Sequence, residues 1–91
     1  MTPRQIALAR HALGLSREQK TSYRNHFSCG EGHPDYEDWR DMVASGNAVR
    51  WPAEELSFGG DDLFKLTATG AAFALLPDES LDPRDFLPRR T

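Results

Sequence analysis

In the stretch NHFSCGEGHPDYEDWRDMV, residues 25–43, His26, Cys29 and His33 stand close enough in sequence to share one ion. All three side-chain types bind Zn²⁺, and the spacing H-x2-C-x3-H converges if the chain turns at Gly30 and Gly32. A structural zinc site would still need a fourth ligand, from Glu31 or Asp35, and a second ligand pair that a chain with one cysteine lacks. A Cys-His nucleophile would need an orienting third group in a pocket, and a domain of 91 residues has little room for one. The simpler expectation is a turn without metal or cofactor. Cys29 is then a small buried hydrophobe, and His26 and His33 cap or hydrogen-bond the backbone around the glycines.

Carboxylates are the second set of residues that could do chemistry. Asp35, Glu37, Asp38 and Asp41 fall in one short run, and Glu54, Glu55, Asp61 and Asp62 in another. General-acid or divalent-ion roles are conceivable for them, but a solvated acidic face is the plainer reading, with Asp61 and Asp62 capping a hairpin turn after Gly59-Gly60. That Gly-Gly-Asp-Asp run is no phosphate loop, because no Lys-Ser/Thr follows it and it opens no expected helix. The basic residues lie elsewhere. Residues 1–30 carry +4 and residues 31–91 carry −7, within a net charge of −3, so the molecule is expected to have a basic and an acidic end.

These groups must be positioned by a single small core, since so short a chain has interior for no more. With 38% hydrophobic and 27% charged residues the chain reads as globular rather than disordered. One cysteine excludes an internal disulfide framework and suits a reducing cytosol; no stretch reads as a signal peptide or membrane span. A cytoplasmic setting is expected.

Thr2-Pro3-Arg4-Gln5 reads as a capping box with proline at the first helical position, and Gly14 as a left-handed stop, which gives a helix over about residues 3–13. Ser16 and Gln19 repeat the capping-box spacing, so a second helix is expected from Arg17, with Tyr23 and Phe27 one turn apart on its buried side. On that helix Arg17, Lys20 and Arg24 would form one basic ridge, with Arg4 and Arg10 beside it. After the turn at Gly30-Glu31-Gly32, His33 or Asp35 caps a third helix whose stripe is Tyr36, Trp39, Met42 and Val43, and Gly46 ends it. Ala48 to Trp51 and Leu63 to Leu66 read as two strands of a hairpin, with a further strand in the loop at Leu56 to Phe58. Thr67 caps a closing helix that Pro77 stops. The folded domain is expected at residues 1–77, and a tail at 78–91 packs in part through Leu81, Phe86 and Leu87 and frays at Arg89-Arg90-Thr91. Trp39 is expected in the core and Trp51 nearer the surface.

Three helices, a hairpin and a closing helix resemble a winged-helix domain, and LFKLTATGAAFALL is similar to the Phe/Tyr-x-Leu-Thr-x-x-Gly-x-x-x-Leu passage that follows the wing in such proteins. The whole chain also resembles small bacteriophage and prophage open reading frames in which Asn-His-Phe, Gly-His, Asp-Tyr, Gly-Gly-Asp-Asp and Leu-Thr recur in this order. The resemblance implies an α+β, winged-helix-like fold with three N-terminal helices, a wing and a closing helix. It does not imply the usual DNA docking, because helix three and the wing carry acidic residues where phosphate contacts need basic ones.

The expected function is therefore binding rather than catalysis, without a small-molecule substrate or a membrane. Asp35, Glu37, Asp38, Asp41, Glu54, Glu55, Asp61 and Asp62 would face a basic, nucleic-acid-handling host protein, as in an anti-CRISPR or other anti-defence inhibitor. The alternative is a small DNA-binding regulator that uses Arg10, Arg17, Lys20 and Arg24.

Overall fold

A computed structural model describes residues 1–53 and 60–86. Helix α1, Pro3–Leu13, starts as its sequence dictates: Thr2 Oγ1 accepts the Gln5 N–H and Gln5 Oε1 accepts the Thr2 N–H, both at 3.1 Å. Gly14 ends it at φ 77°. The last four carbonyls of a helix have no intrahelical donor, and here each finds one from the following chain. Arg10 O accepts Leu15 N–H, His11 O accepts Gly14 N–H, Ala12 O accepts His26 N–H and Leu13 O accepts Tyr23 N–H.

That capping reshapes the next segment. Gln19 N–H does donate to Ser16 Oγ at 3.1 Å, as the capping signature requires, but no helix follows. Lys20 to Ser22 instead run beside the tail, with Thr21 and Ser80 in a parallel bridge and Ser22 N–H on Ser80 O at 3.0 Å. Asn25 then pairs its carboxamide with the Leu66 backbone, and Phe27–Cys29 forms strand β1. The expected second helix is thus replaced by extended chain, because partners from residues 66 and 80 offer its backbone more than a local helix would. The layout is α+β, but not three N-terminal helices before a hairpin, and α1 and α2 form no helix-turn-helix.

Helix α2, Tyr36–Ala44, buries Tyr36, Trp39 and Met42, as the apolar stripe requires. Strand β2, Ala48–Trp51, and strand β3, Asp62–Leu66, form the expected hairpin; β1 joins it in an antiparallel sheet of order β1-β3-β2. Cys29, Ala48, Phe64 and Leu66 point into the core with Ala9, Ala12, Leu13, Trp39, Met42, Ala71 and Ala74. Trp39 lies between Phe27 and Phe64, with ring centroids 5.2 and 5.5 Å away, and its Nε1 has no hydrogen-bond partner among the described residues.

Helix α3, Ala68–Ala74, is capped by Thr67, whose Oγ1 accepts Gly70 N–H at 3.1 Å and donates to Gly46 O at 2.9 Å. Gly70 is required by closeness rather than by backbone angle: a Cβ there would stand 1.9 Å from Asn47 O. The tail then returns to α1. Arg10 grips the buried Glu79 with two hydrogen bonds, one of 2.7 Å from Nη2, and Leu76 N–H donates to the same carboxylate at 2.9 Å. A short 3-10 turn, Pro83–Phe86, brings Phe86 against the core. The expected strand at Leu56 to Phe58, Leu87 and the expected fraying at Arg89-Arg90-Thr91 lie outside the described residues. Among the described residues no helix is long and apolar enough to cross a membrane.

Candidate interaction surface

The six acidic candidates among the described residues do not lie on one face. Asp35 and Asp38 turn toward α1, where Arg4 donates from Nη2 to Asp35 Oδ1 and from Nε to Asp38 Oδ2, both at 2.6 Å. Gln5 Nε2 adds a bond to Asp38 Oδ1 at 3.3 Å. Arg4 remains more than half exposed, at 56%, so the clamp adds little stability, but it fixes the start of α2 against α1 and uses both carboxylates. His33 completes this corner: its Nδ1 accepts the Asp35 N–H at 3.0 Å, while Asp35 itself makes no side-chain cap.

Asp62 is withdrawn altogether. It is 7% exposed and accepts the Tyr36 hydroxyl at 2.6 Å, Arg50 Nε at 2.7 Å and Ala53 N–H at 2.8 Å. The Tyr36 hydroxyl, then Arg50 and the Ala53 amide, hold its carboxyl below the usual aspartate value against the effect of burial. The same hydrogen bond and burial raise the Tyr36 phenol. Asp62 is therefore the pin that joins α2, β2 and the base of the hairpin loop.

On α2 and around the neighbouring cleft four carboxylates stay outward. Glu37 and Asp41, one turn apart, are exposed on α2, and Glu31 and Asp61 are exposed at a polar cleft of about 460 Å³ that Gly30, Tyr36, Arg50, Gly60 and Asp62 also line. Asp61 lies over Gly30, within 2.8 Å of where a Cβ would be, so that glycine lets the turn and the hairpin arm close together. Glu31 was not among the acidic candidates in the sequence, although its place between two glycines marks an exposed turn. Glu54 and Glu55 lie outside the described residues.

The basic ridge is dismantled. Without a second helix, Arg17, Lys20 and Arg24 lose the spacing that would align them. Arg10 is bound to Glu79, Lys20 is 3.4 Å from Asp78, and Arg24 donates to His11 O at 2.7 Å. Arg17 is exposed and has no ion pair among the described residues.

The His-Cys-His set is likewise dispersed by the alternation of a strand. Cys29 is 1% exposed on the core side, whereas His26 is exposed and His33 sits at the corner of α2. Among the described residues no group of three His, Cys, Asp or Glu side chains is placed to hold a metal ion. Burial, reinforced by the charges of Asp35, Asp61 and Asp62, pushes the Cys29 thiol up to about 11, which makes it a poor nucleophile. No family model, curated protein or solved structure matches the chain.

Proposed function

We propose that the protein is a non-catalytic interaction module whose outward carboxylates Glu31, Glu37, Asp41 and Asp61 engage a basic macromolecular partner. The observation that carries this reading is the division of the acidic residues. Asp35, Asp38 and Asp62 are used inside the fold, and of the acidic residues on α2 and around the neighbouring cleft these four stay exposed and unpaired among the described residues. Such a cluster attracts Lys- and Arg-bearing surfaces built to receive phosphate. In a phage-type protein the partner would be a nucleic-acid-handling host machine, blocked in the manner of an anti-CRISPR or other anti-defence inhibitor, and the setting would be the cytoplasm. The winged-helix likeness is retained for the β2–β3 hairpin and the Leu66-Thr67 passage into α3.

Binding of a labelled oligolysine peptide, followed against salt, tests the surface directly, and capture from a bacterial host lysate tests the partner class. Neutralising Glu31, Glu37, Asp41 and Asp61 together is expected to abolish both, with the fold intact by circular dichroism. Unchanged capture by that variant overturns the proposal. The DNA-regulator alternative is disfavoured because Arg10, Lys20 and Arg24 each already hold an internal partner.

A further inference from the structure

The end of α1 and the approach to β1 form a seam of their own. His26 N–H donates to Ala12 O at 3.3 Å and Arg24 Nη2 donates to His11 O at 2.7 Å, so the last turn of α1 holds this approach against itself. His26 and Ser28, on either side of Phe27, are exposed. With Arg24, His11 and Phe27 they line one depression of about 380 Å³. Its polar groups are a guanidinium, two imidazoles and a hydroxyl. None of its lining residues among those described is acidic, although the chain has a net charge of −3.

Such a set suits an oxyanion. Each imidazole offers an N–H, Ser28 an O–H, and Arg24 a permanent charge with N–H groups beyond the one given to His11 O. The C-terminal end of a helix ordinarily repels anions. Here the carbonyls of Arg10, His11, Ala12 and Leu13 each accept an N–H from the following chain, and the Arg24 guanidinium bonds His11 O as well, so the negative end is covered. His11 and Phe27 also line an adjoining depression of about 390 Å³ with Ala7 and Leu8, where the lining carboxylate, Asp35, is already bonded to Arg4. Phe27 forms the wall common to both, braced by Trp39 and His11 with ring centroids 5.2 and 5.8 Å away.

We propose that this seam binds a small phosphate monoester, with its phosphate among Arg24, His11, His26 and Ser28 and its apolar body along Phe27, Ala7 and Leu8. The donors come from three segments: α1, the approach and β1. A tetrahedral phosphate presents oxygens to all three, whereas a carboxylate has two oxygens in one plane. The donors surround one depression rather than repeating along a track, which favours a single terminal phosphate over a chain of phosphodiesters. The apolar wall beside them favours an ester over the free ion. The site shares no residue with the four carboxylates of the preceding proposal, and the two stand or fall independently.

Amide correlation spectra of the full chain, titrated at constant pH and ionic strength with phenyl phosphate, inorganic phosphate and phenol, test the proposal. Phenyl phosphate is expected to give saturable shifts at His11, Arg24, His26 and Ser28, inorganic phosphate to bind more weakly, and phenol to leave these amides unmoved. Arg24→Gln is expected to weaken phenyl phosphate binding about tenfold or more, and His26→Gln about fivefold. Because Arg24 also holds His11 O, its replacement can disturb the fold; His26→Gln keeps the backbone bond to Ala12 O and carries the test in that case. Arg17→Gln, which removes an exposed charge outside the site, should change nothing. No saturable binding of phenyl phosphate, inorganic phosphate bound as tightly, shifts confined to other residues, or an Arg17→Gln loss equal to that of His26→Gln would each overturn the proposal.

Discussion

Asn25 lies against Leu66 as a strand residue would, but with its side chain: Leu66 N–H donates to Asn25 Oδ1 at 2.9 Å and Asn25 Nδ2 donates to Leu66 O at 3.0 Å. The carboxamide continues the β1–β3 ladder past Phe27 and satisfies both backbone groups of a buried residue. Both donor and acceptor are needed. Asn25→Asp and Asn25→Ala are each expected to cost about 2–3 kcal/mol, because at least one buried Leu66 group loses its partner. Urea unfolding measures this, and a loss under about 0.5 kcal/mol would show that the ladder closes without Asn25.

The Arg10–Glu79 pair sets a pH dependence. Two hydrogen bonds from Arg10, then the Leu76 amide, lower the Glu79 carboxyl from 4.5 to about 2 against the opposing effect of burial. A depressed carboxyl contributes stability that is full above its unfolded value and is lost as pH falls toward the folded one. Stability should therefore decline between about pH 4.5 and pH 2, and Glu79→Gln should flatten that part of the curve. At neutral pH the same variant is expected to cost about 3 kcal/mol, since it leaves the partly buried Arg10 guanidinium without its counter-charge. Denaturant melts across the acid range check both expectations.

Gly70 predicts a steric limit. Alanine is the better helix former, yet Gly70→Ala is expected to destabilise by about 2–3 kcal/mol, because its methyl would meet Asn47 O and force α3 away from the turn after α2. A rise in thermal midpoint would contradict the close approach. The glycine of the Leu-Thr-x-x-Gly passage thus has a local physical reason, independent of any family.

Cys29 should be silent to thiol reagents. At 1% exposure, with its thiol pushed up to about 11, it is expected to react with Ellman's reagent only as fast as the protein opens, and at once in denaturant. Fast labelling of the native protein would contradict its place on the core side of β1.

The sequence was most readable where the signals are local. Thr2 with Gln5, the glycine after Leu13, the stripe of Tyr36, Trp39 and Met42, and the Thr67 cap each act within a turn or two, and each appears as expected. The expected second helix failed because its competitors are distant: Ser80 lies 59 residues from Thr21, and Leu66 lies 41 from Asn25. The acidic face was legible in composition but not in use. No spacing rule shows that Arg4 would claim Asp35 and Asp38 from more than thirty residues away, or that Asp62 would turn inward to Tyr36.

The ion pair between Arg10 and Glu79 also bears on when the chain can fold. Helix α1 has its terminal carbonyls and its partly buried Arg10 matched by residues made later, the last of them 69 positions on. Until Glu79 has emerged, that arginine has no counter-charge and the core has no lid on this side. Assembly of the domain is therefore expected only once Glu79 has been made, completed at a single step rather than accumulated element by element along the growing chain.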